Sequence, residues 1–195
     1  MSLPESRASM ARRLNLGCGN EVLDGFVNVD IHGRPGIDVV HDLTKFPWPL
    51  PDNHFDEVRF QNVLEHLPDT IRTIEEMWRV CAPNAAVDIR VPYWNSRWAW
   101  MDPQHVRPFH ECTFDFFDPS KKYFRERPYY SNARFHVDYV VFEGCWFWMA
   151  LPWKRKVLNN NPSRFIHLMG RLSDTVHFLN FRLVALKSPT SDHRT

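Results

Sequence analysis

A chain of 195 residues is long enough to bury a hydrophobic core as a single domain without disulfide or metal staples. Its four cysteines are scattered and form no C-x-x-C pair, so no disulfide framework is expected and a cytoplasmic location is favoured. The formal net charge is +1, no recognised RNA or DNA module is present, and no apolar run reaches the roughly 20 residues of a spanning helix. Neither a nucleic-acid partner nor a transmembrane segment is therefore expected.

Short apolar runs alternate with polar, helix-like patterns over the first half of the chain, which is typical of βαβ units around a parallel sheet. The patterns predict an amphipathic helix at 69–81 and five strands at 12–16, 26–30, 37–41, 55–60 and 86–91. Residues 45–53 contain three prolines, which remove backbone donors, so this stretch is predicted to be a loop.

The second half of the chain is less regular. Residues 92–119 are rich in aromatic side chains, proline, histidine and aspartate, a composition typical of a binding loop. Two more strands at 136–142 and 181–186 bring the predicted total to seven, and a helix is expected near 163–176. The prediction is one α/β domain over 1–195, with its core at about 12–142 and 178–188 and a lid-like or surface insertion at 143–177.

Glycine and polar residues stand where four consecutive predicted strands end. Gly17 and Gly19 follow the first strand, where a missing side chain lets the backbone approach a ligand. Asp30 ends the second strand, where a carboxylate can accept both hydroxyl hydrogens of a ribose. The third and fourth strands are followed by Asp42 with Leu43 and by Asn62 with His66. Because the carboxyl ends of parallel strands meet at one edge, these positions predict a ligand site there.

A dinucleotide is not the expected ligand. Such a site requires G-x-G-x-x-G and an acidic residue about 20 positions further on. No third glycine follows Gly19 at the spacing of this motif, and only ten residues separate Gly19 from Asp30.

Five blocks carry a resemblance to a known family: LNLGCGN (14–20), VNVDI (27–31), DVVHDL (38–43), LPDNHFDEV (50–58) and NVLEHL (62–67). Together they resemble the class I S-adenosylmethionine (SAM)-dependent methyltransferases, in particular the small members known as methyltransferase type 11, over about residues 12–118. The resemblance implies a Rossmann-like α/β fold with SAM as cofactor. It also implies a seven-stranded, mostly parallel sheet with helices on both faces and the last strand antiparallel between the fifth and sixth.

The resemblance implies a role for each residue at the strand ends. Gly17, Cys18 and Gly19 would face the methionine part of SAM, and Asp30 the ribose. The other expected cofactor contacts are Asp42 and Leu43 at the adenine, Asn62 and His66 at the methionine side, and Asn15 and Ile31 beside the first two strands.

Two features depart from the family pattern. Asn15 stands where many relatives have an acidic residue. The ten residues between Gly19 and Asp30 are barely enough for a crossover, so the first crossover helix is expected to be shortened.

The loop after the fifth strand offers residues for the methyl acceptor. We expect His105 to act as a general base with Asp102 as its orienting partner, because an Asp-x-x-His pair can hold an imidazole and raise its basicity. The acceptor pocket is expected to be walled by Tyr93, Trp94, Trp98, Trp100, Arg107 and His110.

Alternatives to each assignment remain open on the sequence alone. Asp102 can instead cap a turn while His105 bonds to backbone, and Asp102, His105, His66 and His110 can instead hold a metal. We predict no metal, because their spacing matches no recognised ligand pattern. Residues 145–156 combine aromatic and basic side chains, which fits either a lid or a peripheral membrane contact. The predicted function is methyl transfer from SAM to a small-molecule, glycan or lipid acceptor; the alternative is a non-catalytic module that binds a SAM-like nucleoside.

Overall fold

The computed structural model describes residues 12–144 and 174–187, and these residues form one seven-stranded sheet. Its strands are β1 (Arg13–Leu16), β2 (Val27–Asp30), β3 (Val39–Val40), β4 (Phe55–Gln61), β5 (Cys81–Pro92), β6 (Phe135–Gly144) and β7 (Val176–Ala185). The described part also contains the α-helices α1 (Thr70–Val80) and α2 (Lys122–Glu126) and four short 3₁₀ helices. No helix in this part is long and apolar enough to cross a membrane.

The order of strands in the sheet is β3-β2-β1-β4-β5-β7-β6. The pairs from β3 to β5 are all parallel, while β7 runs antiparallel to both of its neighbours, β5 and β6. This confirms the predicted α/β fold, with the last strand antiparallel between the fifth and sixth. The reversal of order between β1 and β4 creates a crevice at their carboxyl ends, where open sheets of this type bind ligands.

The first three crossovers differ from the expected pattern. The resemblance implies helices on both faces of the sheet and a shortened first helix, yet residues 17–26, 31–38 and 41–54 contain turns and no helix. Ten residues cannot cross between parallel strands and also form a helix of useful length. The backbone turns directly onto β2 instead, with Cys18 N–H donating to the Val29 carbonyl at 3.0 Å.

Helix α1 carries the chain from β4 to β5, as predicted for residues 69–81. It begins after Asp69, whose side chain accepts a hydrogen bond from the Arg72 backbone N–H at the N-terminus. Ile74 and Met77 are fully buried against the sheet, where the central strands contribute Leu14, Leu16, Val58, Phe60, Val87 and Ile89. The helix and the buried strands fix the sheet edge that carries the predicted site.

The two final strands are longer than the local pattern predicts. Strand β7 begins at Val176 rather than 181, and it pairs with β5 on one side and β6 on the other. Residues 143–144 and 176–177, predicted to belong to an insertion, are therefore sheet residues. The predicted helix near 163–176 falls largely outside the described residues, and the segment 145–156 falls wholly outside them.

A side chain is expected to lower the free energy of unfolding by different amounts at the two glycines after β1. Both have positive φ, +60° at Gly17 and +52° at Gly19, a conformation that costs an L-residue about 1–2 kcal/mol. A Cβ at Gly17 would lie 2.6 Å from the side chain of Val63, whereas one at Gly19 meets nothing within 4 Å. Gly17→Ala should therefore lower the free energy of unfolding by about 1–3 kcal/mol more than Gly19→Ala. Urea unfolding of both variants measures the difference, and equal losses would contradict the packing role of Gly17.

Candidate functional site

The loop after β1 brings exposed backbone to the carboxyl edge of the sheet. Gly17 packs against Val63, at the start of the segment that follows β4, and Gly19 opens onto free space. Cys18 between them is 6% exposed and directs its side chain inward; burial raises the pKa of its thiol. The loop therefore offers peptide groups and no reactive thiolate to a ligand.

Asp30 lies at the end of β2 and holds this loop in place. One carboxylate oxygen accepts the Gly19 N–H at 2.8 Å, and the other accepts the His32 N–H at 3.0 Å. Arg34 lies 3.5 Å away. An ionised carboxylate has about four acceptor positions, so two backbone bonds leave capacity for two more donors. That capacity matches the two hydroxyls of a ribose. Ile31, which follows, is 55% exposed at the same edge.

Asn15 is buried and holds the loop after β1 by hydrogen bonds instead of facing a ligand. It is 4% exposed, and its amide donates to the Glu21 carbonyl at 2.7 Å and to Asn28 Oδ1 at 3.0 Å. Asn28 in turn bonds to both backbone groups of Leu23. A carboxylate at position 15 could not donate these bonds, which gives the departure from the family pattern a structural reason. Asn28 is a residue that sequence analysis did not single out.

The third strand ends at the predicted adenine position. Asp42 accepts hydrogen bonds from the Thr44 N–H at 2.9 Å and its hydroxyl at 2.7 Å, and these bonds lower the pKa of the Asp42 carboxyl. Both bonds use the same carboxylate oxygen. The Leu43 side chain is buried, and its carbonyl accepts the indole N–H of Trp48. Asp42 is therefore held ionised with one oxygen turned away from the Thr44 contacts.

A pocket of about 500 Å³ opens next to the end of β4. Five residues predicted from the sequence line it: Asn62, His66, Trp98, Asp102 and His105. The other lining residues were not anticipated: Glu65, Pro92, Met101, Pro103 and Phe178. The cofactor-side residues Asn62 and His66 thus share one cavity with the acceptor-side residues Asp102 and His105.

The remaining residues predicted for the acceptor pocket do not line this cavity. Tyr93 is 4% exposed in the core, and Trp94 stacks on His110 with ring centroids 6.3 Å apart. Trp100 is 66% exposed and donates its indole N–H to the Trp94 carbonyl. Arg107 donates to the hydroxyl of Thr70. Of the three predicted tryptophan walls, the cavity retains only Trp98.

Asn62 follows β4 with a positive φ of +54°. Its N–H donates to the Arg90 carbonyl, and its side-chain oxygen accepts from the Arg90 guanidinium, both at 2.8 Å. Arg90 is itself paired with Glu143 on β6. Asn62 is thereby fixed at the boundary between the sheet edge and the pocket.

Glu65, His66 and His105 form a compact cluster in the pocket. Glu65 is 2% exposed, and burial together with the nearby Asp102 raises the pKa of its carboxyl to about 7. The rings of His66 and His105 meet edge to face with centroids 4.7 Å apart. Burial, followed by the neighbouring His105, lowers the pKa of the His66 imidazole below its usual range.

The side chains of the predicted pair, Asp102 and His105, lie close together but make no hydrogen bond with each other. His105 Nε2 lies 4.0 Å from an Asp102 oxygen, and His105 Nδ1 lies 3.3 Å from the Ala99 carbonyl. Asp102 accepts the Gln104 N–H at 2.8 Å, which makes it a turn cap. The turn alternative thus describes the geometry, and Asp102 acts on the imidazole through its charge alone.

The sequence of this chain was compared with those of known proteins. Residues 21–87, from the loop after β1 into β5, match the family model described as a methyltransferase domain. The match contains Asp30, Asp42, Asn62 and His66, and it begins just after the glycine loop. No curated protein matches the chain in sequence.

Solved structures with the same fold include several methyltransferases. A SAM-dependent methyltransferase from Archaeoglobus fulgidus is 19% identical with a TM-score of 0.58, covering 91% of this chain and 88% of its own. A SAM-dependent methyltransferase from Mesorhizobium loti is 14% identical with a TM-score of 0.54, covering 91% and 92%. The YcgJ protein from Bacillus is 12% identical with a TM-score of 0.52, covering 92% and 94%. At these identities the likeness establishes the fold.

The match to a methyltransferase-domain model over residues 21–87 and the shared fold show that this chain is similar to SAM-dependent methyltransferases. SAM is the cofactor that this similarity implies. The residues present fit it: open backbone at Gly19 and spare acceptor capacity at Asp30 stand on the same edge, where SAM would meet the first two strands.

The buried Glu65 makes stability depend on pH. Its folded pKa of about 7 lies above the ordinary 4.5, so the folded protein retains a proton that the unfolded chain releases, and stability falls as pH rises from about 4.5 to 7. Glu65→Gln removes this loss, on the order of 3 kcal/mol. In the presence of a chelator, the variant should gain stability relative to the native protein between pH 4 and pH 8 by this amount. Denaturant unfolding at both pH values checks it, and a pH-independent difference would contradict the buried carboxyl.

Proposed function

We propose that this chain transfers the methyl group of SAM to a small-molecule, glycan or lipid acceptor that binds in the 500 Å³ pocket. One observation carries the proposal: the predicted cofactor edge and the pocket share Asn62 and His66. A methyl donor held at the strand ends would therefore face an acceptor held in the pocket. Methyl transfer by in-line displacement requires this alignment and the exclusion of water.

The cofactor supplies a methyl group on a sulfonium, and the chain supplies positioning. In this proposal Asp30 accepts the ribose hydroxyls with its spare lone pairs, and Asp42 accepts from the adenine amino group. The Gly17–Gly19 backbone lies against the methionine part. Each of these groups is already held by bonds to the sheet or the loop, so little order is lost on binding.

His105 is the base of the proposal in the metal-free protein. Its Nδ1 points at the Ala99 carbonyl, which favours the tautomer that leaves Nε2 unprotonated near His66 and Asp102. A neutral Nε2 on the pocket wall can take a proton from an acceptor hydroxyl or amine. The Asp102 charge then stabilises the imidazolium that forms.

The alternative is a non-catalytic module that binds a SAM-like nucleoside. The absence of any helix in the first three crossovers of the described chain favours it, because the usual helix N-terminus beside the ligand is missing there. A measurement of turnover distinguishes the two functions, whereas a measurement of cofactor affinity does not.

Removing the Asp30 charge should abolish cofactor binding. An asparagine has a single acceptor oxygen, so it cannot keep two backbone bonds and also bind both ribose hydroxyls. Titration calorimetry should give micromolar SAM binding, about −8 kcal/mol, no NAD binding, and at least about 100-fold weaker SAM binding for Asp30→Asn. Asp24→Asn, which removes an exposed carboxylate from the same loop, is the matched control and should bind SAM normally. Unchanged affinity in Asp30→Asn would remove the assigned ribose site.

The base is tested by separating binding from turnover. His105→Ala should keep SAM affinity within about threefold and lower methyl transfer by about 100-fold or more, since a positioned base contributes factors of this size. Asp102→Asn should have a smaller effect, because it only removes a charge 4.0 Å away. Transfer of labelled methyl groups from SAM to hydroxyl and amine acceptors, in the presence of a chelator, measures both. Native turnover in both variants would leave this chain without the proposed base.

A further inference from the structure

The pocket also contains the Glu65 carboxyl, to which the methyl-transfer proposal assigns no role. We propose that Glu65, His66 and His105 form a binding site for a divalent transition-metal ion such as Zn²⁺. The metal site depends on these three side chains and not on SAM, so it stands or falls separately from the proposed function.

The three residues provide the ligand atoms in a suitable arrangement. One carboxylate oxygen of Glu65 and one ring nitrogen from each histidine all lie within 4.8 Å of one another. Two imidazoles and a carboxylate are the ligand set of open zinc sites, in which a further position is left for an exogenous oxygen. All three residues line the pocket, so that further position would face its interior.

Two polar side-chain atoms of the cluster have no hydrogen-bond partner within the described chain. Glu65 Oε2 and His66 Nδ1 are both buried and unpaired, and Glu65 as a whole is 2% exposed. Buried polar atoms in folded proteins are nearly always satisfied, so an unpaired pair in one cluster indicates a missing partner. A cation between them would satisfy the oxygen and the nitrogen together.

The far ring nitrogen of His105 is held as it is in known metal sites. His105 Nδ1 lies 3.3 Å from the Ala99 carbonyl. Backbone carbonyls that accept from the far ring nitrogen orient metal-ligating histidines and leave the near nitrogen as a free lone pair.

The backbone connects the two halves of the site. Glu65 and His66 belong to the 3₁₀ helix after β4, whereas His105 belongs to the loop after β5. The Val106 N–H donates to the Glu65 carbonyl at 2.8 Å and fixes the loop against that helix. The ligand set is therefore positioned before any ion arrives, which favours tight binding.

The ion changes the role of His105. The Nε2 lone pair that serves a base cannot also bind a metal, so in the loaded protein His105 is a ligand and the pocket selects acceptors with an oxygen able to coordinate. This consequence for the acceptor, unlike the metal site itself, rests on the proposed function.

The experiment titrates chelator-treated full-length protein with Zn²⁺ by calorimetry and with Co²⁺ by visible absorption. We expect one Zn²⁺ per chain and the visible bands of cobalt bound by nitrogen and oxygen ligands. Glu65→Gln and His105→Asn, each folded by circular dichroism, should weaken Zn²⁺ binding by at least about 100-fold, more than the loss typical of an outer-shell partner. His32→Asn, which changes an exposed histidine outside the cluster, should bind as the native protein does.

Native-like Zn²⁺ affinity in both cluster variants, or no stoichiometric binding to the native protein, would overturn the metal site. A SAM titration of the same samples keeps the two proposals apart. Metal binding without SAM binding would support the site and remove the methyltransferase proposal, whereas SAM binding without metal binding would do the reverse.

Discussion

The structure depends on a very short connection between its first two parallel strands. Ten residues link Gly19 to Asp30, and the described chain has no helix there to cover the sheet or to shape the ligand edge. A network of buried amides takes over that task. Asn15 and Asn28 hold the loop between β1 and β2, and the Asp30 carboxylate fastens Gly19 from above. Buried hydrogen bonds of this kind restrict the backbone because an unmade bond would leave a polar group without a partner.

The two halves of the proposed site are built from different kinds of structure. The proposed cofactor half consists of strand ends and backbone, all fixed by bonds within the sheet or its loops. The acceptor half comes from the long loop after β5, which reaches back to the end of β4 through the Val106–Glu65 backbone bond. That bond brings His105 against His66 and encloses the Glu65 carboxyl group, so the chemistry of the pocket is set by a contact between segments far apart in sequence.

Sequence reasoning placed the predicted cofactor residues at one sheet edge, but only part of the predicted acceptor residues line the pocket. Strand ends can be found from local patterns, which is why Asp30, Asp42 and Asn62 fall at the expected edge. Glu65 was missed because a carboxylate in NVLEHL has no apolar pattern to mark it as buried, and its burial comes from the distant loop. Trp94 and Trp100 were assigned to the pocket on composition alone, whereas Trp94 stacks on His110 and the Trp100 indole N–H donates to the Trp94 carbonyl. The length of β7 also escaped the local pattern, because pairing with strands on both sides extends it.

The most direct test of the account is a crystal structure of the protein with S-adenosylhomocysteine, the product that the proposed reaction leaves behind. The account predicts the ribose hydroxyls within hydrogen-bond distance of Asp30, the adenine beside Asp42 and Leu43, and the sulfur directed toward the pocket bounded by Asn62 and His66. A ligand bound elsewhere, or an Asp30 carboxylate that keeps only its bonds to Gly19 and His32 while the nucleoside lies apart from it, would contradict the central claim.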